Sequence, residues 1–287
     1  MPATINTNIA SLNAQRSLSA SSSSLATSMA RLSSGLRVNS AKDDAAGLAI
    51  AERMNAQIRG MNVAIRNAND GISYAQTAEG ALSKVGDSLQ RMRELAVQAR
   101  NASNTEKDQD SLQNEFKELQ SEIDRVLKGT TFNGSTIFTA TGSLDFQVGA
   151  GTTGNDRVSI TLGNTALTAD TSLTNVTTTT AIIGDLGSTT AVAGSAIDTV
   201  IGNLDAAIDK INSQRSVWGA TQNRFDAVIS NLQVSVENQA AARSRIMDAD
   251  FAAETANLSR AQILQQAGNA MIAQANQLPS QVLSLLR

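Results

Sequence analysis

The chain has 287 residues, 23 Lys+Arg against 26 Asp+Glu, a net charge of −3, and neither cysteine nor histidine. Near-balanced charge argues against a nucleic-acid binder, which carries a basic patch or stripe. The missing residue types exclude disulfides, thiolate metal sites and histidine acid–base chemistry.

Aromatic residues are only 3% of the chain, so thin helical layers of Ala, Leu, Ile and Met are expected rather than one thick core. The opening MPATINTNIASLNAQRS shows no charged n-region followed by an apolar stretch, so no ordinary secretory signal is expected. No run approaches 18 uninterrupted apolar residues, and no membrane insertion is expected.

In chain order, residues 4–34 read as a narrow-striped helix. Ile5, Ile9 and Leu12 share a face; Leu18, Leu25 and Leu32 recur at strict sevens, with Met29 and Leu36 filling the other core position. Residues 35–46 break the register at Gly35, Asn39 and Ser40 and read as a connector. Ser40 and Asp43 offer a capping box for the next helix. Residues 44–100 form the longest helix, with Ile58, Met61, Ile65, Ala68, Ile72, Ala75, Leu82 and Leu89 at heptad spacing. Thr105 and Asp108 cap a second helix, carrying Leu112, Phe116, Leu119, Ile123 and Val126 and stopping at Gly129; the two should form an antiparallel hairpin.

The period then changes to two. Leu144, Phe146 and Val148, then Val158, Ile160 and Leu162, alternate with polar residues around Gly149–Asp156, which predicts a β-hairpin. Residues 163–196 are rich in Thr, Ser, Ala and Gly, and an exposed variable loop or a minimal outer domain is expected there. Residues 197–246 carry heptads through Ile201, Leu204, Ile208, Ile211, Trp218, Phe225, Ile229, Leu232 and Val236, broken by the polar Arg215 and Gln222. After a connector at 247–252, residues 253–287 return to a narrow stripe, with Leu264, Met271, Leu278 and Leu285 at strict sevens. The fold class expected is mainly α, a long antiparallel bundle built from both chain ends with a small β-hairpin region.

Chemical motifs fail on context. Gly149-Ala-Gly151-Thr-Thr-Gly154 fits a dinucleotide fingerprint, but a strand pattern follows where a helix N-terminus must hold the pyrophosphate. The pairs Asp43/Asp44 and Asp248/Asp250 read as helix caps and as ion-pair partners of Arg37, Lys42, Arg243 and Arg245, not as a catalytic dyad. Asn101, Asn133, Asn175 and Asn257 open glycosylation-type triplets that are chance matches without a secretory signal. Gln90-Arg91-Met92-Arg93-Glu94 reads as a solvated face with an Arg91–Glu94 pair, or as a partner-binding patch. No catalytic residue, cofactor site or metal site is expected.

SGLRVNSAKDDAAGLAIAERM, LQRMRELAVQA, FNG and SRAQILQQAGNAMIAQANQLPSQVLSLLR together resemble bacterial flagellin, over about residues 1–162 and 197–287. The short 163–196 segment corresponds to a reduced variable region. The resemblance implies a self-assembling filament subunit that acts as a motility propeller. Residues 1–34 with 253–287 would form an inner coiled coil, 35–46 and 247–252 the connectors, and 44–162 with 197–246 an outer bundle plus hairpin. It also implies export without a cleaved signal through a type III apparatus. Expected partners are a chaperone on the C-terminal helix, a filament cap, hook-junction proteins and, at Gln90, Arg91, Leu95 and Glu115, Toll-like receptor 5. Met92 departs mildly from the Val or Ile usual in that patch.

Two other readings have sequence tests. A hook–filament junction subunit would share the termini, but the unbroken QILQQAG…QANQLP…LLR ending favours the filament. A zinc protease in the variable region needs H-E-x-x-H, which a chain without histidine cannot supply.

Overall fold

A computed structural model of the protein describes residues 7–139, 142–161, 167–178, 181–186 and 191–284, with backbone alone at 161 and 278–284. Ile5, Leu162 and Leu285 lie outside the described residues, and of Leu278 only its helical backbone is described. The chain is mainly α: α1 (Ile9–Ser34), α2 (Ala45–Ala99), α3 (Glu106–Gly129), α4 (Thr171–Thr177), α5 (Gly194–Met247) and α6 (Phe251–Ser284). Two antiparallel hairpins pair β1 (Thr131–Phe132) with β2 (Ser135–Thr136) and β3 (Ser143–Gln147) with β4 (Arg157–Thr161). Contacts divide the chain into Met1–Ile58 with Glu237–Arg287, and Arg59–Val236, so the division falls inside α2 and α5.

In the first unit α1 runs antiparallel to α6. Asn8 caps α1 by accepting from the Ser11 N–H at 3.1 Å. Gly35 ends it at φ +70°, a left-handed conformation suited to glycine, and donates its N–H to Arg31 O at 2.8 Å. The connectors then meet. Leu36 bridges Asp248, the Arg37 N–H bonds Met247 O at 2.7 Å, and the Ala249 N–H bonds Gly35 O at 2.9 Å. Arg37 also donates through Nη2 to Ile246 O at 2.8 Å, satisfying a carbonyl that the end of α5 leaves free. Val38, Ala51 and Met247 form the small apolar cluster beneath.

The expected caps need two corrections. Asp43 accepts from Ser40 as foreseen, but within a turn; the cap of α2 is Asp44, whose Oδ1 accepts from the Gly47 N–H at 2.8 Å. The carboxylates cap without forming the expected ion pairs among the described residues. Asp250 accepts from the Ala252 and Ala253 N–H groups, Asp248 from the Ser244 hydroxyl, and Arg37 turns to backbone carbonyls instead. A local N–H donor at a helix start is nearer and better aligned than an exposed arginine, whose pairing is worth little.

In the second unit, α3 folds back along α2, and the Asp108 carboxylate accepts from the Thr105 N–H and hydroxyl at 2.9 and 2.7 Å. The core gathers Ala68, Ala75, Leu82 and Leu89 of α2, Phe116 and Ile123 of α3, and Leu204, Ile211, Trp218 and Phe225 of α5. Tyr74 sits among Phe132, Phe146 and Trp218, with ring centroids 5.4, 6.1 and 5.8 Å away. Gly71 is required there: a Cβ would lie 2.6 Å from the Phe225 ring. The β3–β4 register pairs Leu144 with Ile160 and Phe146 with Val158, as the alternation predicts. The polar breaks Arg215 and Gln222 both turn to Glu79, at 3.8 and 3.0 Å.

Residues 163–196 are more than a loop. Leu167, Leu173, Val176, Ala181 and Ile183 are buried in the core. Three buried glutamines of α3 hold this strap by its backbone. Gln109 Oε1 accepts from the Val192 N–H, and Gln113 Oε1 from the Ile183 and Gly184 N–H groups. Gln120 Nε2 donates to the carbonyls of Val176 and Ala181 at 2.7 and 3.1 Å.

Candidate self-assembly surface

The seam between α1 and α6 mixes small residues with larger ones. On α1, Ser11, Ala14, Leu18, Ser21, Leu25, Ser28 and Leu32 turn inward at alternating spacings of three and four, with the serines buried and the leucines half-buried. Glu254, Leu258, Ala261, Gln265, Gly268, Ile272 and Ala275 do the same on α6. Small side chains let the backbones approach, and the hydroxyls of Ser11 and Ser21 bond across the seam. Ser11 donates to Asn276 Oδ1 at 2.9 Å, Ser21 to Ala261 O at 3.3 Å, and Asn8 Nδ2 to Ala275 O at 2.7 Å. Glu254, buried in the seam, faces Arg31 at 4.0 Å.

The stripe residues therefore separate into two sets. Leu18, Leu25 and Leu32 cover the partner helix within the same chain. Ile9 (66% exposed), Leu12, Leu264 and Met271 are left exposed. Met29, expected at a core position, is 56% exposed, because Ser28 takes the seam place beside it. Ile263 and Phe251 join the outward set, at 66% and 56%. The strict-seven rule misses both; Ile263 directly precedes Leu264, and two adjacent large apolar residues cannot both face one seam.

Apolar surface of this kind, grouped on one paired-helix unit, marks a place where another protein surface packs. Between α1 and α6 a shallow groove lined by Ala10, Leu18, Leu264, Gly268 and Met271 continues the exposed stripe. No helix among the described residues is long and apolar enough to cross a membrane.

The QRMRE patch lies on the second unit. Arg91 Nη1 pairs with Glu94 at 3.0 Å and Arg91 Nε with Glu115 at 2.7 Å. These two carboxylates hold the guanidinium proton well above its ordinary range, the Glu115 hydrogen bond most. Gln90, Arg91 and Glu115 are exposed. Leu95 departs from the expected patch: it is 1% exposed and packs in the core with Met92. Its heptad position beneath Arg91 puts it on the inner face of α2.

The sequence profile of the bacterial flagellin N-terminal helical region matches residues 5–143, and that of the C-terminal helical region matches residues 201–286. The chain belongs to the bacterial flagellin family. Flagellin from Bacillus subtilis is 44% identical over 307 residues, covering 99% of both chains. Flagellin from Halalkalibacterium halodurans is 44% identical over 289 residues with the same coverage. A flagellar filament 33 kDa core protein from Treponema phagedenis is 40% identical over 294 residues. Among solved structures, Bacillus cereus flagellin aligns with 62% of this chain and 94% of its own at 30% identity, with a TM-score of 0.47. A Vibrio parahaemolyticus structure described as a flagellar hook-associated protein aligns with 72% of this chain and 100% of its own. At 12% identity and a TM-score of 0.55, it is a likeness of fold.

Proposed function

We infer that this chain is a structural, self-assembling subunit of the bacterial flagellar filament, an exported component of the flagellum and not an enzyme. The observation that carries the mechanism is the outward apolar set on the paired ends: Ile9, Leu12, Leu264 and Met271. Isolated helices are marginal in water, and half of the α1–α6 seam positions hold serine, alanine or glycine. Copies packed side by side cover what the seam leaves open, each buried Leu or Ile adding about 1.5–3 kcal/mol. A heterologous contact that repeats without closing generates a helical polymer.

In this reading residues 1–34 with 253–287 are the assembly layer, and 44–162 with 197–246 carry the bundle and hairpin. Ile5, Leu278 and Leu285 continue the stripe by spacing. The same apolar face of 253–287 suits an export chaperone that shields it before assembly. A tip cap and hook-junction proteins, which must match the same ends, are the remaining axial partners. Transit occurs through a type III apparatus to the extracellular filament. The exposed Gln90, Arg91 and Glu115 are the surface we assign to Toll-like receptor 5 recognition, with Leu95 supporting α2 from below.

Electron microscopy of purified full-length protein in mild salt tests the reading. Micrometre fibres are expected from the intact chain and none from variants lacking 1–34 or 253–287, which should remain soluble and helical. Fibres from either truncation would refute it, and a failure of the intact chain to form long fibres alone would favour a junction subunit.

A further inference from the structure

Met29 and Met271 project from the α1–α6 pair at 56% and 62% exposure, whereas Met61, Met92 and Met247 are buried and Met54 is half-buried. The chain has no cysteine, and its one tryptophan and one tyrosine, Trp218 and Tyr74, are buried. The thioethers of Met29 and Met271 are thus the exposed oxidisable side chains among the described residues. Met271 stands on the apolar surface assigned above to assembly, and Met29 is exposed on the same α1–α6 pair. Met271 borders the groove with Leu18, Leu264 and Gly268, and Met29 follows the seam residue Ser28.

We propose that Met29 and Met271 form a peroxide-sensitive modification site that gates polymerisation, an inference that rests on the filament reading. The sulfur lone pair attacks one oxygen of a hydroperoxide. The S–O bond forms as the O–O bond breaks, the proton on the transferred oxygen passes to the departing hydroxide, which leaves as water, and the sulfur is oxidised to the sulfoxide. The product replaces a soft apolar contact with a strong dipole that must be desolvated when the face is covered. Unassembled copies are vulnerable, and copies already packed are shielded by their neighbours. Sulfoxide reductases reverse the change.

The test treats unassembled full-length protein with hydrogen peroxide and reads peptides by mass spectrometry. Peptides holding Met29 and Met271 should gain one oxygen before those holding Met61, Met92 and Met247. The critical concentration for fibre growth, read by light scattering, should rise about tenfold or more, with unchanged circular dichroism, and recover after reductase treatment. The critical concentration of the variant Met29→Leu with Met271→Leu, whatever its untreated value, should not change on peroxide treatment. Equal oxidation of the buried methionines, unimpaired assembly of oxidised protein, or equal inhibition of the double variant would each overturn the proposal. If the double variant fails to assemble untreated, the wild-type peptide and scattering measurements still decide. Failure of untreated wild-type protein to polymerise would instead overturn the filament reading.

Discussion

Gly268 of α6 faces Leu18 of α1 so closely that a Cβ on the glycine would come 3.2 Å from Leu18 Cδ1. Glycine in a helix interior costs roughly 1 kcal/mol relative to alanine, and close passage of two helices repays that cost here. Gly268→Val should push the pair apart, with an overpacking penalty of about 1–3 kcal/mol, and raise the critical concentration for fibre growth. Gly219→Ala, in a helix where a Cβ meets nothing within 4 Å, should stabilise the monomer by about 0.5–1 kcal/mol. Urea unfolding and light scattering of the two variants check both signs; equal behaviour would show that the seam tolerates separation.

Gln120 joins α3 to the strap through two buried carbonyls, those of Val176 and Ala181. Gln120→Ala leaves them unpaired, a loss of about 1–3 kcal/mol. Limited proteolysis should then cut within 167–186, where the intact protein is expected to resist. Resistance unchanged in the variant would mean that the apolar contacts of Leu173 and Ile183 suffice.

At Gly71 the same logic acts in the core. Gly71→Ala drives a methyl into the Phe225 ring, itself edge-on to Phe146 with centroids 5.4 Å apart. A net destabilisation of about 1–3 kcal/mol is expected, partly relieved when Phe225→Leu is added. A double-mutant cycle by urea unfolding reads the relief, and strictly additive losses would rule out the clash.

Acid should weaken the monomer through carboxylates that accept hydrogen bonds at its helix caps and in the turn before α2. Hydrogen bonds from Ser40, Thr105 and Thr153 hold Asp43, Asp108 and Asp156 below their ordinary value of 3.8. Each native carboxylate therefore binds its proton less readily than the unfolded one. The stabilisation is complete above pH 3.8 and is lost as pH falls through the lower native values. Asp108→Asn should flatten the decline of the urea midpoint below pH 4, and an unchanged slope would place the acid sensitivity elsewhere.

Helix limits, the β3–β4 register and the heptads of α5 were legible because apolar periodicity and Gly or Thr–Asp punctuation speak for themselves. The strap was not, because its threonines carry no period and its anchors lie elsewhere in the sequence. Gln109, Gln113 and Gln120 fall in register with Phe116, Ile123 and Leu127, so polar residues at inward positions were the available signal. Serines at inward positions of α1 carry the same message, and it is they that turn Met29 outward. The β1–β2 hairpin could have been read from Asn133-Gly134, whose φ angles of +48° and +78° suit that turn. Leu95 shows the limit of a linear patch, since neighbours in sequence on a helix look in different directions.

Asn8 and Ala275, bonded side chain to carbonyl, stand 267 positions apart, and Ser21 and Ala261 stand 240 apart. Whichever extremity leaves a ribosome or a narrow duct first has no mate until nearly the whole thread has followed. A seam that joins the two ends thus cannot close until almost all of the thread is free.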